Sequence, residues 1–207
     1  MQNLGRKPLR YILLDLPSDH EIEGALATEC DVLYAMLANH ELAAVTKRIR
    51  IGRPETLRQL RLGTSGAEFV HIAGHATADG LWMLGDVVAW SHVAKALANC
   101  VSPLKPSRER LVHFSCCHSQ RAAKLCRRHL SPYFSGAYHF VDQTVPYATA
   151  IAVWTMFFHQ QPSTRNHWDI VRRINTFIGQ EVLRFVPYLE PMSRDIAAIK
   201  EMEALRA

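Results

Sequence analysis

A cysteine becomes a nucleophile when a base lies close enough to take its proton, and a histidine most often serves. The chain offers that combination at the ends of two apolar runs. "EFVHIAGH" (68–75) closes on Gly74 and His75, and "RLVHFSCCHS" (110–119) contains Cys116, Cys117 and His118 near its end. Both runs have the length and residue types of buried strands. If the two ends meet, His75 is the base and Cys117 the nucleophile, and Gly74 lets the chain turn sharply. The main-chain N–H groups of Ala76 and Cys117 are the candidate oxyanion donors. Cys117 also stands just before a helical segment beginning near Ser119, whose positive end favours a thiolate.

Side chains alternate along a strand, so His71 shares a side with His75, and His113 with Cys117. Cys116 points the other way, into the core. His71, His75, His113 and Cys117 are types that bind zinc, but each pair on one strand spans about 13 Å at about 3.3 Å per residue, too far for one ion. No ligand pair has zinc-motif spacing. Neither a metal nor a cofactor is expected. His71 and His113 read as hydrogen-bonded core histidines, and His118 as a substrate-groove or surface residue.

The elements that must position these residues alternate along the chain. Strand-like runs cover 10–16, 43–51, 68–75, 110–117 and 137–143. Helical spacing covers 30–40, 53–62, 91–100, 119–130 and 145–160. Residues 80–90 read as a hairpin turning at Gly85-Asp86. Two amphipathic helices, 168–179 and 191–205, close the chain as a cover. Strands separated by helices predict a mostly parallel sheet covered on both faces, an α/β sandwich. With no repeat or linker, residues 1–207 read as a single domain. In such sheets a site lies beyond the carboxyl ends of the strands, where His75 and Cys117 fall.

Composition narrows the classes. The 207 residues carry a formal charge of +5, but the basic residues are scattered rather than interleaved with aromatics, so nucleic acid is not an expected partner. The apolar stretch "YATAIAVWTMFF" is too short for the roughly 18–20 residues that a bilayer requires. The five cysteines are odd in number and form no CxxC pair. Free thiols in a reducing cytoplasm are the expectation.

Gly74-His75-Ala76, a following hairpin and helix, and then "LVHFSCCHS" resemble the caspase-like cysteine peptidases, most closely the bacterial CHAT branch. That branch has one strand ending in Gly-His-Gly and another ending in Ser-Ala-Cys. The resemblance runs well from about Glu68 to Gln120 and loosely through "YHFVDQTVPYATAIAVWTMFF". It implies a caspase-like three-layer α/β/α sandwich and a cysteine endopeptidase acting on protein or peptide substrates without a cofactor. Cys117 takes the nucleophile position and Cys116 the small alanine position. The chain departs from the pattern at Ala76, the second glycine, and at Ser119, where a glycine often follows the cysteine. Many relatives that cut after Arg or Lys line the pocket with an acidic residue. Asp15 and Asp142, each at a strand end, fit that role or that of a turn cap. The alternative reading is an inactive caspase-like module that binds a regulatory protein partner.

Overall fold

The computed structural model describes residues 10–16, 20–60, 67–99, 110–130, 134–141, 144–160 and 166–188. Apolar, largely β-branched and aromatic runs form the strands β1 (Tyr11–Leu16), β3 (Phe69–Ala76), β6 (Leu111–Ser115) and β7 (Gly136–Phe140), each buried along almost all its length. Burial on both faces is what a parallel sheet between helical layers demands. The remaining strands are β2 (Thr46–Arg50), the hairpin β4 (Gly80–Met83) and β5 (Asp86–Ala89), and β8 (Leu183–Pro187).

The sheet runs in the order β2-β1-β3-β6-β7-β8. Its first five strands are parallel to their neighbours, and β8 closes the edge antiparallel to β7. The hairpin continues from the carboxyl end of β3, where His75 pairs with Trp82 and Ala76 with Leu81. Gly80 makes this possible: a Cβ there would lie 2.2 Å from the Val88 carbonyl oxygen.

Six helices lie between the strands of the described residues: α1 (His20–Asn39), α2 (Pro54–Arg58), α3 (Trp90–Asn99), α4 (Gln120–Leu130), α5 (Tyr147–Gln160) and α6 (His167–Ile178). They split the core in two. Leu57, Val93, Leu97, Ala123 and Cys126, from α2 to α4, pack with Ile72, Phe114 and Cys116 on one face of the sheet. Leu33, Trp154, Phe157 and Ile174, from α1, α5 and α6, pack with Leu13, Phe69 and Tyr138 on the other. The protein is therefore an α/β/α sandwich around a mostly parallel sheet. None of its described helices is long and apolar enough to cross a membrane.

Several element ends shift by a few residues from the sequence reading, helix α2 stops at Arg58, short of the expected 53–62, and three further differences change elements. Helix α1 begins ten residues before the expected 30–40 segment, because its first half is too polar to show an apolar stripe. Residues 43–45 form a short 3-10 turn, so β2 starts only at Thr46. The closing segment 168–205 is not helical throughout: between α6 and the second expected helix, β8 joins the sheet. Its terminal Pro187 is tolerated because β8 is an edge strand. The expected helix over 191–205 lies outside the described residues, as do Asp142 and Cys100.

Candidate active site

Strand β3, which carries His75, and β6, which ends two residues before Cys117, are adjacent and parallel, with Phe69 opposite Leu111 and Ala73 opposite Ser115. His75 stands two residues past Ala73, and Cys117 two residues past Ser115. Alternation along β3 assigns His75 to the face covered by α1 and α5, and Cys117 meets Val145, which belongs to the core of that face. His75 and Cys117 are half-buried, whereas His71, His113 and Ser115, deeper on that face, are buried. Cys116 is buried among the α3–α4 cluster on the opposite face, and burial pushes its thiol well above the ordinary range.

Cys117 lies in the turn between β6 and α4, not in the strand itself. The Val145 N–H, just before α5, donates to its Sγ with an N···S distance of 3.5 Å. Helix α4 begins three residues after the cysteine. His118 has φ = 55°, one of three non-glycine residues in the left-handed region among those described. Strain of this kind on a non-glycine residue clusters at functional turns. Ser119 is fully buried: its hydroxyl accepts from the Phe140 N–H at 3.2 Å and its carbonyl from the Ala123 N–H at 2.9 Å. The backbone freedom that a glycine would supply is therefore exercised at His118 rather than at Ser119.

Asp15 is wholly buried at the carboxyl end of β1. Its Oδ2 accepts from Arg48 at 3.0 Å, and Arg48 also reaches Asp31. Oδ1 has no hydrogen-bond partner among the described residues. Ala76, the proposed oxyanion donor, is a buried strand residue. His118 is half-buried beside Cys117.

Beneath the strand ends lies a polar network that the sequence reading missed. Glu29 of α1 is buried; its Oε1 shares a hydrogen bond with His71 Nε2 at 2.7 Å, and the Ser115 hydroxyl donates to its Oε2 at 2.9 Å. The Glu29 N–H donates to the Tyr147 hydroxyl oxygen at 2.9 Å. His71 therefore is the hydrogen-bonded core histidine the sequence suggested. His113 is not: both its nitrogens lack partners among the described residues. It sits in a cage of Phe69, Tyr138, Trp154, Phe157 and Phe158. Burial, reinforced by His71 and His167, holds its pKa well below the ordinary histidine value. A signal for Glu29 did exist. Positions 29, 33 and 37 recur every four residues, so Glu29 falls on the stripe of Leu33 and Leu37 once α1 extends that far back.

No protein-family model matches this chain, and no curated protein resembles it.

Proposed function

We propose that the chain is a cysteine endopeptidase of the caspase-like, CHAT-type kind, with Cys117 as nucleophile and His75 as general base. The observation that carries this reading is the register of β3 and β6. With Ala73 opposite Ser115, it puts His75 and the following turn residue Cys117 at neighbouring strand ends in the middle of the sheet, both half-buried, at the carboxyl end where α/β sites form.

In the proposed reaction His75 accepts the Cys117 proton as Sγ attacks the scissile carbonyl carbon. The carbonyl oxygen, now negative, accepts from main-chain N–H groups, Cys117's own and that of Ala76 being the candidates. The C–N bond breaks, the imidazolium gives its proton to the departing amine, and a thioester remains. Water, deprotonated by His75, then releases the acid and restores the thiol. The Val145 N–H, already directed at Sγ, steadies the sulfur as it gains charge.

Specificity for Arg or Lys before the cut rests, in this reading, on the Asp15 carboxylate at the carboxyl end of β1. An unpartnered buried carboxylate oxygen is costly to leave so, and a substrate cation would satisfy Oδ1 while Arg48 holds Oδ2. Asp15→Asn is expected to lower kcat/KM for Arg and Lys substrates far more than for neutral ones. Equal losses on both classes would remove Asp15 from the pocket.

The direct test of the enzyme is alkylation by iodoacetamide near pH 6 beside a fluorogenic peptide library. Cys117 is expected to react faster than N-acetylcysteine, and Cys117→Ala to lose all turnover. A slow Cys117 with no cleavage would overturn the peptidase. The second reading, an inactive module in the cytoplasm that binds a regulatory protein, is favoured by Trp168 and Phe177, which leave 61% and 70% of their surface exposed on α6.

A further inference from the structure

We propose that Glu29 is a positioning residue, a single buried group that fixes the relative placement of the three parts of the site. The inference rests on the peptidase reading only in taking Cys117 as the reacting group. Glu29 touches neither Cys117 nor His75 in any contact described above. It holds the elements that carry them.

The three parts arrive on three elements. His75 comes on β3, Cys117 follows β6, and the Val145 N–H comes on the approach to α5. Glu29 bonds once to each. His71 is four residues before His75, Ser115 two residues before Cys117, and Tyr147 two residues after Val145. Both carboxylate oxygens and the backbone N–H are thus engaged, which leaves the side chain one orientation. Burial, with the charge of Glu29 beside it, raises the pKa of the Tyr147 phenol. The hydroxyl keeps its proton and remains an acceptor for the Glu29 N–H.

Stability alone does not separate a structural from a positioning role for this carboxylate. A hydrophobic side chain at this position would avoid the desolvation cost of a charge but would strand the buried polar atoms of His71 and Ser115. What a hydrophobic side chain cannot do is link a histidine on one strand, a serine on the next and a helix start by directional bonds. Misplacing a reacting group by about 1 Å costs rate steeply, so a directional hub under the strand ends acts on reactivity.

The experiment measures the iodoacetamide rate constant of Cys117 from pH 5 to 9, by mass spectrometry of the full chain, well below each variant's melting temperature. Glu29→Gln keeps size and shape but cannot accept from both His71 and Ser115 in one orientation. It is expected to slow Cys117 by about tenfold and to move the midpoint of the rate–pH profile. Tyr147→Phe deletes one hydroxyl from a half-buried ring and is expected to slow it by about threefold, on the same reasoning. This variant carries the test if Glu29→Gln fails to fold. Leu97→Ala, a core truncation on the opposite face of the sheet, is expected to lower melting without changing the rate. The proposal is overturned if Glu29→Gln and Tyr147→Phe react like the parent, or if Leu97→Ala slows Cys117 as much. Should the parent itself react no faster than N-acetylcysteine, the peptidase reading falls first, an outcome distinct from both.

Discussion

Two neighbouring thiols, Cys116 and Cys117, meet opposite environments where the chain leaves β6 and turns toward α4. Cys116 is packed in the α3–α4 core with its thiol pushed up by burial, whereas Cys117 is half-exposed with a main-chain donor on its sulfur. Cys116→Ala is therefore expected to retain turnover and to cost about 1 kcal/mol, the usual scale for a small buried deletion. Cys117→Ala is expected to lose turnover with its denaturation midpoint almost unchanged, and His75→Ala to lower kcat more than it raises KM. Urea titration beside peptide cleavage separates the two cysteines; turnover surviving in Cys117→Ala would remove it from the chemistry. At this scale the sequence was legible where reactive types ended apolar runs, as at His75 and Cys117. It was harder to read at Glu29, whose place on the Leu33–Leu37 stripe shows only once α1 is known to extend that far back, and whose partners across the sheet leave no local pattern. His113 misled for the opposite reason. A histidine in a strand suggests a hydrogen-bond partner, and tertiary packing supplied aromatic rings instead.

Elements were readable in proportion to their apolar periodicity. The buried strands of the parallel sheet announced themselves, and so did the hairpin, although its turn falls on Leu84-Gly85, one residue before the expected Gly85-Asp86, and Asp86 opens β5. Strand β8 did not, because five residues ending in Pro187 carry little pattern and its ladder partner, β7, is forty-odd residues upstream. What holds β8 is a side chain on the preceding helix. Asn175 Oδ1 accepts from the N–H groups of Val182 and Leu183 at 3.1 and 2.9 Å, and Nδ2 donates to the Leu183 carbonyl at 2.9 Å. Gly179, left-handed at φ = 80°, ends α6 and lets the chain turn back toward that amide. Asn175→Ala removes all three bonds at the start of the edge strand and leaves half-buried backbone groups without partners. A loss of about 2–3 kcal/mol is expected in urea denaturation, at roughly 1 kcal/mol per bond. Limited proteolysis would show earlier cleavage between α6 and β8. A variant as stable as the parent, cut no faster, would mean that the β7–β8 ladder alone holds the edge.

For the molecule as a whole, the sandwich buries titratable groups within its sheet, and that sets a pH limit on the fold. His113 and His139 are both buried in the sheet. For His113, burial comes first and the neighbouring His71 and His167 add to it; its pKa lies well below the ordinary value. For His139, burial again dominates, aided by Arg184 and Lys124 and opposed by its bond to the Phe140 carbonyl; its pKa is also lowered. Above the unfolded histidine pKa of about 6.5, both states are neutral and these groups leave stability independent of pH. Below it the unfolded chain binds protons that the folded chain refuses, so stability falls as pH falls toward the lowered folded values. Each such histidine contributes a slope of up to about 1.4 kcal/mol per pH unit within that window. The carboxylates Asp169 and Glu181 are held down by Arg172 and Arg184, and their contribution is lost mainly as pH falls through the ordinary carboxylate range, at the acid end of that span. Urea denaturation between pH 7.5 and 4.5 is thus expected to give a plateau and then a decline beginning near pH 6.5. His113→Leu is expected to remove about half of that decline. It should also raise stability by about 1 kcal/mol on the plateau, since it replaces two unpartnered buried nitrogens with apolar volume. An unchanged slope in His113→Leu would show that the caged imidazole is protonated as easily folded as unfolded, and would place the acid sensitivity elsewhere in the sheet.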